Sequence, residues 1–255
     1  MKNITDKSPL VSVIMPAYNA ERFIEEAIAS VQAQSYENWE LFVIDDGSKD
    51  RTKEIVKNLA ENDKRIRFLI NEKNMGVAKT RNRGIDLSSG KYVAFIDSDD
   101  VWHKDKLKKQ LEKLKEKDAG IGYCSYEIIG ENGEKAKEDY IVSETATFKD
   151  ILKENYIQCS AMLIRSDIVK RFMFNTEFYH EDYILGLDML RAGEKAAGNK
   201  ELLLKWRYLE NSRSFNKRKS AMNRWRIYRN YLKLPFFKSV SLFLNYAAAG
   251  LKKYR

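Results

Sequence analysis

Cysteine is almost missing from this chain of 255 residues. Cys124 and Cys159 are the only two, too few to staple a fold of this length, and neither has a neighbour at a metal-ligand spacing such as CxxC. Such usage predicts buried free thiols in a reducing compartment. Proline and glycine are scarce too, at 3 and 12 residues, while 44% of the chain is hydrophobic. That balance excludes collagen-like, low-complexity and disordered chains. No apolar run reaches the ~18 to 20 residues that span a bilayer, and the N-terminus MKNITDKSPL holds no apolar signal core, so a cytoplasmic location is expected. A GxGxxG after the first strand and a GxxxxGK[ST] loop are both lacking, which removes dinucleotide-dependent dehydrogenases and P-loop NTPases. A nucleotidyltransferase would want a Gly-rich, lysine-bearing phosphate loop in the same place, and PAYNAERF offers none.

Charge is present but unevenly spread. The net charge is +9, yet 12 of the 46 Lys and Arg residues and none of the 37 acids follow Glu210. A mildly acidic body therefore carries a strongly basic C-terminal arm, which asks for an acidic partner at one end only: anionic lipid or nucleic acid. The length suits one large domain plus an appendage. We divide the chain into a domain over 1–211 and a basic amphipathic helical extension over 212–255.

Over the first two thirds, short β-rich apolar runs alternate with longer segments of helical period, the signature of an α/β fold with a mostly parallel sheet and flanking helices. The predicted strands are Leu10 to Met15, Leu41 to Ile44, Ile66 to Ile70, Tyr92 to Ile96 and Ile121 to Ser125. Glu21 to Gln34 predicts a helix with Phe23, Ala27, Ile28 and Val31 on one stripe, and Lys104 to Lys117 another with Leu107, Leu111 and Leu114. Gly130 to Ser143 reads as a loop or hairpin near an edge. Apolar segments resume at Ala161 to Ile164, at Tyr183 to Leu190 with helical spacing, and at Leu202 to Leu204. In the arm, Trp225, Tyr228 and Tyr231 are interleaved with arginines, and Pro235 separates two helices. The second, from about Phe236 to Leu251, carries Val240, Phe243, Leu244, Ala247 and Leu251 on one side and is suited to lie on a surface.

Ligands of an open parallel sheet collect at the carboxyl ends of its strands. The first strand runs into Pro16-Ala17-Tyr18-Asn19, the second into Asp45-Asp46-Gly47-Ser48 and the fourth into Asp97-Ser98-Asp99-Asp100. Five carboxylates at one edge repel unless positive charge sits among them, as a divalent metal with its phosphates would. Asp97 and Asp99, two residues apart on an extended segment, point the same way and suit a hard cation that prefers oxygen. An isolated acidic triplet reads first as a solvated turn or a helix N-cap; its place after the buried run Tyr92 to Ile96 reverses that in favour of the site. Pro16 to Asn19, with an aromatic ring and an amide, suits packing against a base and ribose, or leaves Tyr18 as a half-buried loop aromatic.

Taken together, VSVIMPAYN, ELFVIDDGSKD, NMGVAKTRNRGID, YVAFIDSDDVW and HEDYILGLDMLRAG resemble, in order, the successive motifs of the family-2 glycosyltransferases of the GT-A fold. The likeness covers most of residues 10 to 210. It implies that Pro16, Ala17, Tyr18, Asn19 and Ser98 belong to the nucleotide-sugar pocket, that Asp46 contacts uracil, and that Arg81 or Lys79 lies near the donor. It implies that Asp97 and Asp99 are the metal-binding DxD for Mn²⁺ or Mg²⁺. It also implies an inverting hexosyl transfer with Asp182 of the Glu181-Asp182 pair as general base, Glu181 remaining a second candidate. His180 would orient the acceptor or be an ordinary hydrogen-bonded loop residue. Trp102 would form a sugar-facing wall or pack in the core. Arg207, Arg213 and Lys217 would close over the diphosphate, or only begin the basic surface.

The QxxRW signature of processive synthases is missing, so transfer of single residues is expected. The chain looks similar to bacterial transferases that build teichuronic acid, capsule or lipopolysaccharide units on polyprenyl-diphosphate carriers. The expected partners are then a UDP-sugar donor, a lipid-linked or saccharide acceptor, and the anionic inner face of the plasma membrane, held by the arm. The arm could instead be a solvated helical pair or a homodimer contact. The competing reading from another class, a nucleic-acid-binding protein using the basic aromatic arm, is opposed by the acidic sheet edge.

Overall fold

The computed structural model describes residues 8–209 and 217–253. The first half matches the sequence pattern closely: β1 (Val11–Ala17), α1 (Ile24–Gln32), β2 (Trp39–Asp45), α2 (Thr52–Asn62), β3 (Ile66–Ile70), α3 (Val77–Leu87) and β4 (Tyr92–Phe95). Every residue of β1 and β2 is buried, as continuous apolar runs require when helices cover both faces of a sheet. The strands β3-β2-β1-β4 are adjacent and parallel.

Then come β5 (Val101–Trp102), α4 (Lys106–Lys117), β6 (Ile121–Ile129), β7 (Thr145–Ala146), α5 (Phe148–Lys153), β8 (Leu163–Arg165), α6 (Ser166–Phe172), α7 (Glu181–Arg191) and β9 (Ala196–Arg207). Here the sheet departs from sequence order, continuing β4-β8-β6-β9-β5 with β7 also on β9. Three-residue β8 is antiparallel to both β4 and β6, so the Ile121 strand is not the direct neighbour of β4. The predicted Leu202 to Leu204 segment is the middle of a 12-residue strand with a bulge opposite Cys124 to Tyr126. The polar stretch after β6 folds back as a hairpin-like turn, with bridges from Tyr126 to Tyr140 and from Ile129 to Lys135.

Side chains alternate across the sheet with the strand period of two. Ile14, Phe42, Ile44, Val93 and Phe95 enter one core layer, and Val13, Met15, Leu41, Val43 and Ala94 the other. The second layer is packed by α1 and α4; Ala27, Ile28, Val31, Leu107 and Leu114 all take their expected places there. Cys124 and Cys159 are free and buried.

The C-terminal arm is joined to the body. It comprises α8 (Lys217–Arg226), a π-helical turn over Ile227–Tyr231, and α9 (Phe236–Lys253) after Pro235. Ile227, Tyr228, Leu232 and Leu242 belong to the first core layer, each contributing about 1.5–3 kcal/mol of burial. The Tyr228 hydroxyl donates to the Leu152 carbonyl at 3.1 Å. The predicted face of α9 is rotated: Ser239 and Leu242 are buried, while Leu244 is exposed. Packing against α5 selects that face, because the arm has a body to lean on. The boundary at 211/212 lies outside the described residues, as does the Leu251 side chain. No helix among the described residues is long and apolar enough to cross a membrane.

Candidate active site

The carboxyl ends of β1, β2 and β4 open into a cleft of about 990 Å³. Its near wall comes from the strand ends and its far wall from the N-terminus of α7, the end of α5 and the C-terminal arm. Of the residues singled out from sequence, Pro16, Ala17, Tyr18, Asp46, Lys79, Arg81, Asp97, Ser98, Asp99, His180, Glu181, Asp182 and Arg207 all line it.

Each is positioned by local chemistry. After β1 the chain turns outward and leaves Tyr18 48% exposed. Asn19 is not in the lining: its amide oxygen accepts from the Lys49 N–H and its own N–H donates to Ser48 Oγ, so it zips the first two strand-end loops together. After β2, the buried Asp45 accepts the N–H groups of Gly47 and Ser48 in an Asx turn. Gly47 has φ +83, and a Cβ there would stand 3.0 Å from the Asn74 nitrogen. Asp46 accepts from Asn71 Nδ2, Met75 N and Gly76 N, each at 2.8 Å. Its carboxylate thus pins the loop that starts α3, leaving one acceptor direction for a ligand.

The acidic edge is resolved by a buried guanidinium. Arg81 of α3, 4% exposed, donates to Asp97 at 2.6 Å and to Glu181, 100 residues further along the chain, at 2.8 Å, tying the end of β4 to α7. Glu181 is therefore spent on an ion pair, whereas Asp182 has no basic partner within ion-pair distance among the described residues. Burial, with the Glu181 charge next to it, pushes the Asp182 carboxyl up to about 6. Burial, with Asp97 adding to it, likewise raises Asp99 to about 6. Asp100 lies deeper, accepts from the Arg207 N–H at 2.9 Å, and is pushed well above the carboxylate range by burial and its acidic neighbours.

Asp97 and Asp99 are both hard oxygen donors, and the like charge that Asp97 sets beside the buried Asp99 is the condition a divalent cation relieves. Among the described residues no cluster of three or more His, Cys, Asp or Glu forms a cage. The pair fits a cation that takes its other ligands from phosphate and water.

Two expectations are corrected. Trp102 does not face the cleft: it is 4% exposed in the second core layer, its indole N–H donates to the Ser160 carbonyl and Lys106 Nζ sits 4.0 Å over its ring. The apolar ring is worth more in the core than at a wet rim. Arg207 lines the cleft but is fastened. Its guanidinium donates to the carbonyls of Asp99, Gly130 and Glu131 and to Glu26 Oε2, so swinging over a diphosphate would break four hydrogen bonds. Arg213 and the Lys217 side chain lie outside the described residues. His180 occupies the N-cap of α7 at φ +67, which brings its ring to the cleft.

Several lining residues escaped sequence reasoning, notably Gln158, Cys159, Trp206, Arg224 and Tyr246. The arm's interleaved arginines and aromatics signalled Arg224 only as part of a basic surface, and nothing in the sequence singled out Tyr246. Its aromatics turn inward: Trp225 packs 5.7 Å from Phe243, and the Tyr231 hydroxyl bonds to Asp188.

Known proteins agree with this architecture. The profile of the family described as "Glycosyl transferase family 2" matches residues 12–173. The chain is 36% identical over 250 residues to the putative teichuronic acid biosynthesis glycosyltransferase TuaG of Bacillus subtilis (strain 168), covering 98% of this chain and 99% of that protein. It is 36% identical over 247 residues to UDP-Glc:alpha-D-GlcNAc-diphosphoundecaprenol beta-1,3-glucosyltransferase WfgD of Escherichia coli, covering 96% and 95%. Among solved structures, S. aureus TarS 1-349 in complex with UDP-GlcNAc superposes with a TM-score of 0.70 at 22% identity, over 86% of this chain and 64% of that one. At that identity the likeness speaks for the GT-A fold. A mixed sheet with an acidic cleft at the carboxyl edge of its parallel strands, in a chain matched over 96–98% of its length by glycosyltransferase sequences and by the family profile over residues 12–173, identifies it as a member of glycosyltransferase family 2.

Proposed function

We propose that the protein is an inverting, divalent-metal-dependent transferase that moves a hexosyl group from a UDP-sugar to the sugar of a polyprenyl-diphosphate-linked acceptor in cell-surface polysaccharide synthesis. The observation that carries this is the disposition of three acidic groups around one cleft. Asp46 follows β2 and Asp97 and Asp99 follow β4 on the strand-end side of the cleft, and Asp182, with its raised carboxyl, lines it from the first turn of α7. The donor and acceptor classes are carried over from the named activity of WfgD, and the setting in cell-surface polysaccharide synthesis from the name of TuaG.

Pro16, Ala17 and Tyr18 give an apolar, aromatic face for the base, and Asp46 offers it the remaining acceptor direction of its carboxylate. Asp97 and Asp99 would hold the cation, which would supply positive charge against that developing on the departing diphosphate. Arg81 keeps Asp97 and Glu181 in register, so that the two walls sit at a fixed separation. Asp182 takes the proton of the acceptor hydroxyl as that oxygen attacks the anomeric carbon from the face opposite the leaving group; one displacement inverts the centre. A carboxyl poised near 6 is mostly ionised at neutral pH yet more basic than a solvated one, which is what a general base needs. Phe236 and Phe237, the latter 85% exposed, stand beside Lys233 and Lys238 and hold the protein at an anionic leaflet, each cation near the surface adding about 1 kcal/mol. The test is UDP release across a panel of UDP- and GDP-sugars with an alkyl-diphospho-sugar acceptor, with and without chelator. Turnover that is indifferent to chelator, or that prefers GDP-sugars, refutes the proposal.

A further inference from the structure

Three arginines are buried in or beside the cleft, and two have acid partners. Arg81 has Asp97 and Glu181, and Arg207 has Glu26. The third, Arg224 of α8, is 6% exposed and lines the cleft, and among the described residues no carboxylate pairs with it. Its guanidinium carbon instead sits 3.6 Å from the Tyr183 ring centroid and 4.8 Å from that of Tyr246. Its Nε–H has no acceptor. A guanidinium buried against two tyrosine rings, hydrogen-bonded to Tyr183 but with its buried Nε–H unsatisfied and no carboxylate beside it among the described residues, is costly unless something anionic meets its N–H groups that face the cleft. The planar fork that stacks on rings also meets a phosphate with two parallel hydrogen bonds.

Its location selects which phosphate. Tyr183 is next in the chain to Asp182, so Arg224 belongs to the wall that carries the proposed base. The donor's diphosphate is assigned to the other side, at Asp97 and Asp99. We propose that Arg224 binds the phosphate of the sugar-diphosphate acceptor, so that α8 and α9 form the acceptor-recognition wall of the cleft. This rests on the acceptor class proposed above. An acceptor whose hydroxyl meets Asp182 has its phosphate on the same sugar ring, which puts the anion on Arg224's side of the base.

The test titrates geranyl diphosphate into full-length protein saturated with UDP and Mn²⁺, and separately titrates UDP. For Arg224→Gln, geranyl diphosphate affinity should fall roughly 10- to 100-fold, the range of a lost charge-assisted hydrogen bond, with UDP affinity within about twofold of wild type. Arg224→Lys, which keeps the charge and loses the fork, should fall in between; it carries the test if the glutamine variant has no cooperative melt. Weakened UDP binding with unchanged geranyl diphosphate binding would hand Arg224 to the donor and overturn the proposal. Unchanged affinity for both would overturn it too, leaving Arg224 a clasp for two tyrosines. The acceptor class is judged on the wild type. If it binds geranyl diphosphate and the variants bind equally well, only this inference falls. If it ignores geranyl diphosphate but transfers to a phosphate-free glycoside, the acceptor reading falls as well.

Discussion

Replacing Asp182 by asparagine should make the protein more stable and nearly inactive at once. Its carboxyl is raised from 3.8 to about 6, and at ~1.36 kcal/mol per unit the folded protein bears at most about 3 kcal/mol for keeping it ionised. The side chain is partly open to the cleft, so part of that is screened. A folded-state acid with a raised pKa binds its proton more tightly than the unfolded chain does. Its penalty is therefore absent below about pH 4, grows between about 4 and 6, and is complete at neutral pH. Asp182→Asn should accordingly gain up to about 3 kcal/mol in urea unfolding at pH 7.5, or several degrees in melting temperature for a chain of this size, and little at pH 4. In UDP-release assays its kcat should drop roughly 10²- to 10⁴-fold. At saturating Mn²⁺, which would hold Asp99 ionised, wild-type kcat/KM should fall about tenfold per unit below pH 6, and the residual activity of the variant should lose that inflection. A variant no more stable at pH 7.5, one within tenfold of wild-type turnover, or one with the same inflection would refute the reasoning.

The same geometry sets the outcome of other substitutions. Arg81→Met leaves Asp97 and Glu181 without their shared cation and should cost about 3–5 kcal/mol in denaturant unfolding; a loss under 1 kcal/mol would mean the bridge is solvated. Asp99→Ala should lose at least about 10²-fold in turnover and no longer respond to Mn²⁺ titration, whereas a fully metal-responsive variant would take Asp99 out of the cation site. Trp102→Phe, which gives up the Ser160 bond and the Lys106 contact, should lower stability by about 1–2 kcal/mol with acceptor KM within twofold; a large KM change would return the ring to the cleft. Replacing both Phe236 and Phe237 by serine should release the protein from vesicles containing phosphatidylglycerol without changing UDP affinity, and undiminished pelleting would contradict the docking role of α9.

By itself the sequence determined the parallel half of the molecule. The apolar runs of β1, β2 and β4 need cover on both faces, unlike edge strand β3 with its exposed Ile70, and the polar residues at the end of each of those runs have nowhere to go but the carboxyl edge; Tyr18, Asp46, Asp97 and Asp99 were legible for that reason. The stripes of α1 and α4 were legible because helical period directly encodes a buried face. Tertiary structure decided the rest. Three-residue β8, wedged antiparallel between β4 and β6, is too short to carry a period. Arg81 joins two carboxylates on elements 16 and 100 residues away, and no local pattern records such a match. Trp102 and Arg207 sit beside sequence features that suggest a ligand, yet the core and four hydrogen bonds claim them. The C-terminal arm reads as an independent basic surface because amphipathic period gives a face and not its partner. Only the packed body shows which side of α9 turns inward and that α8 delivers Arg224 to the cleft, since the field and neighbours of a buried charge come from residues remote in the chain.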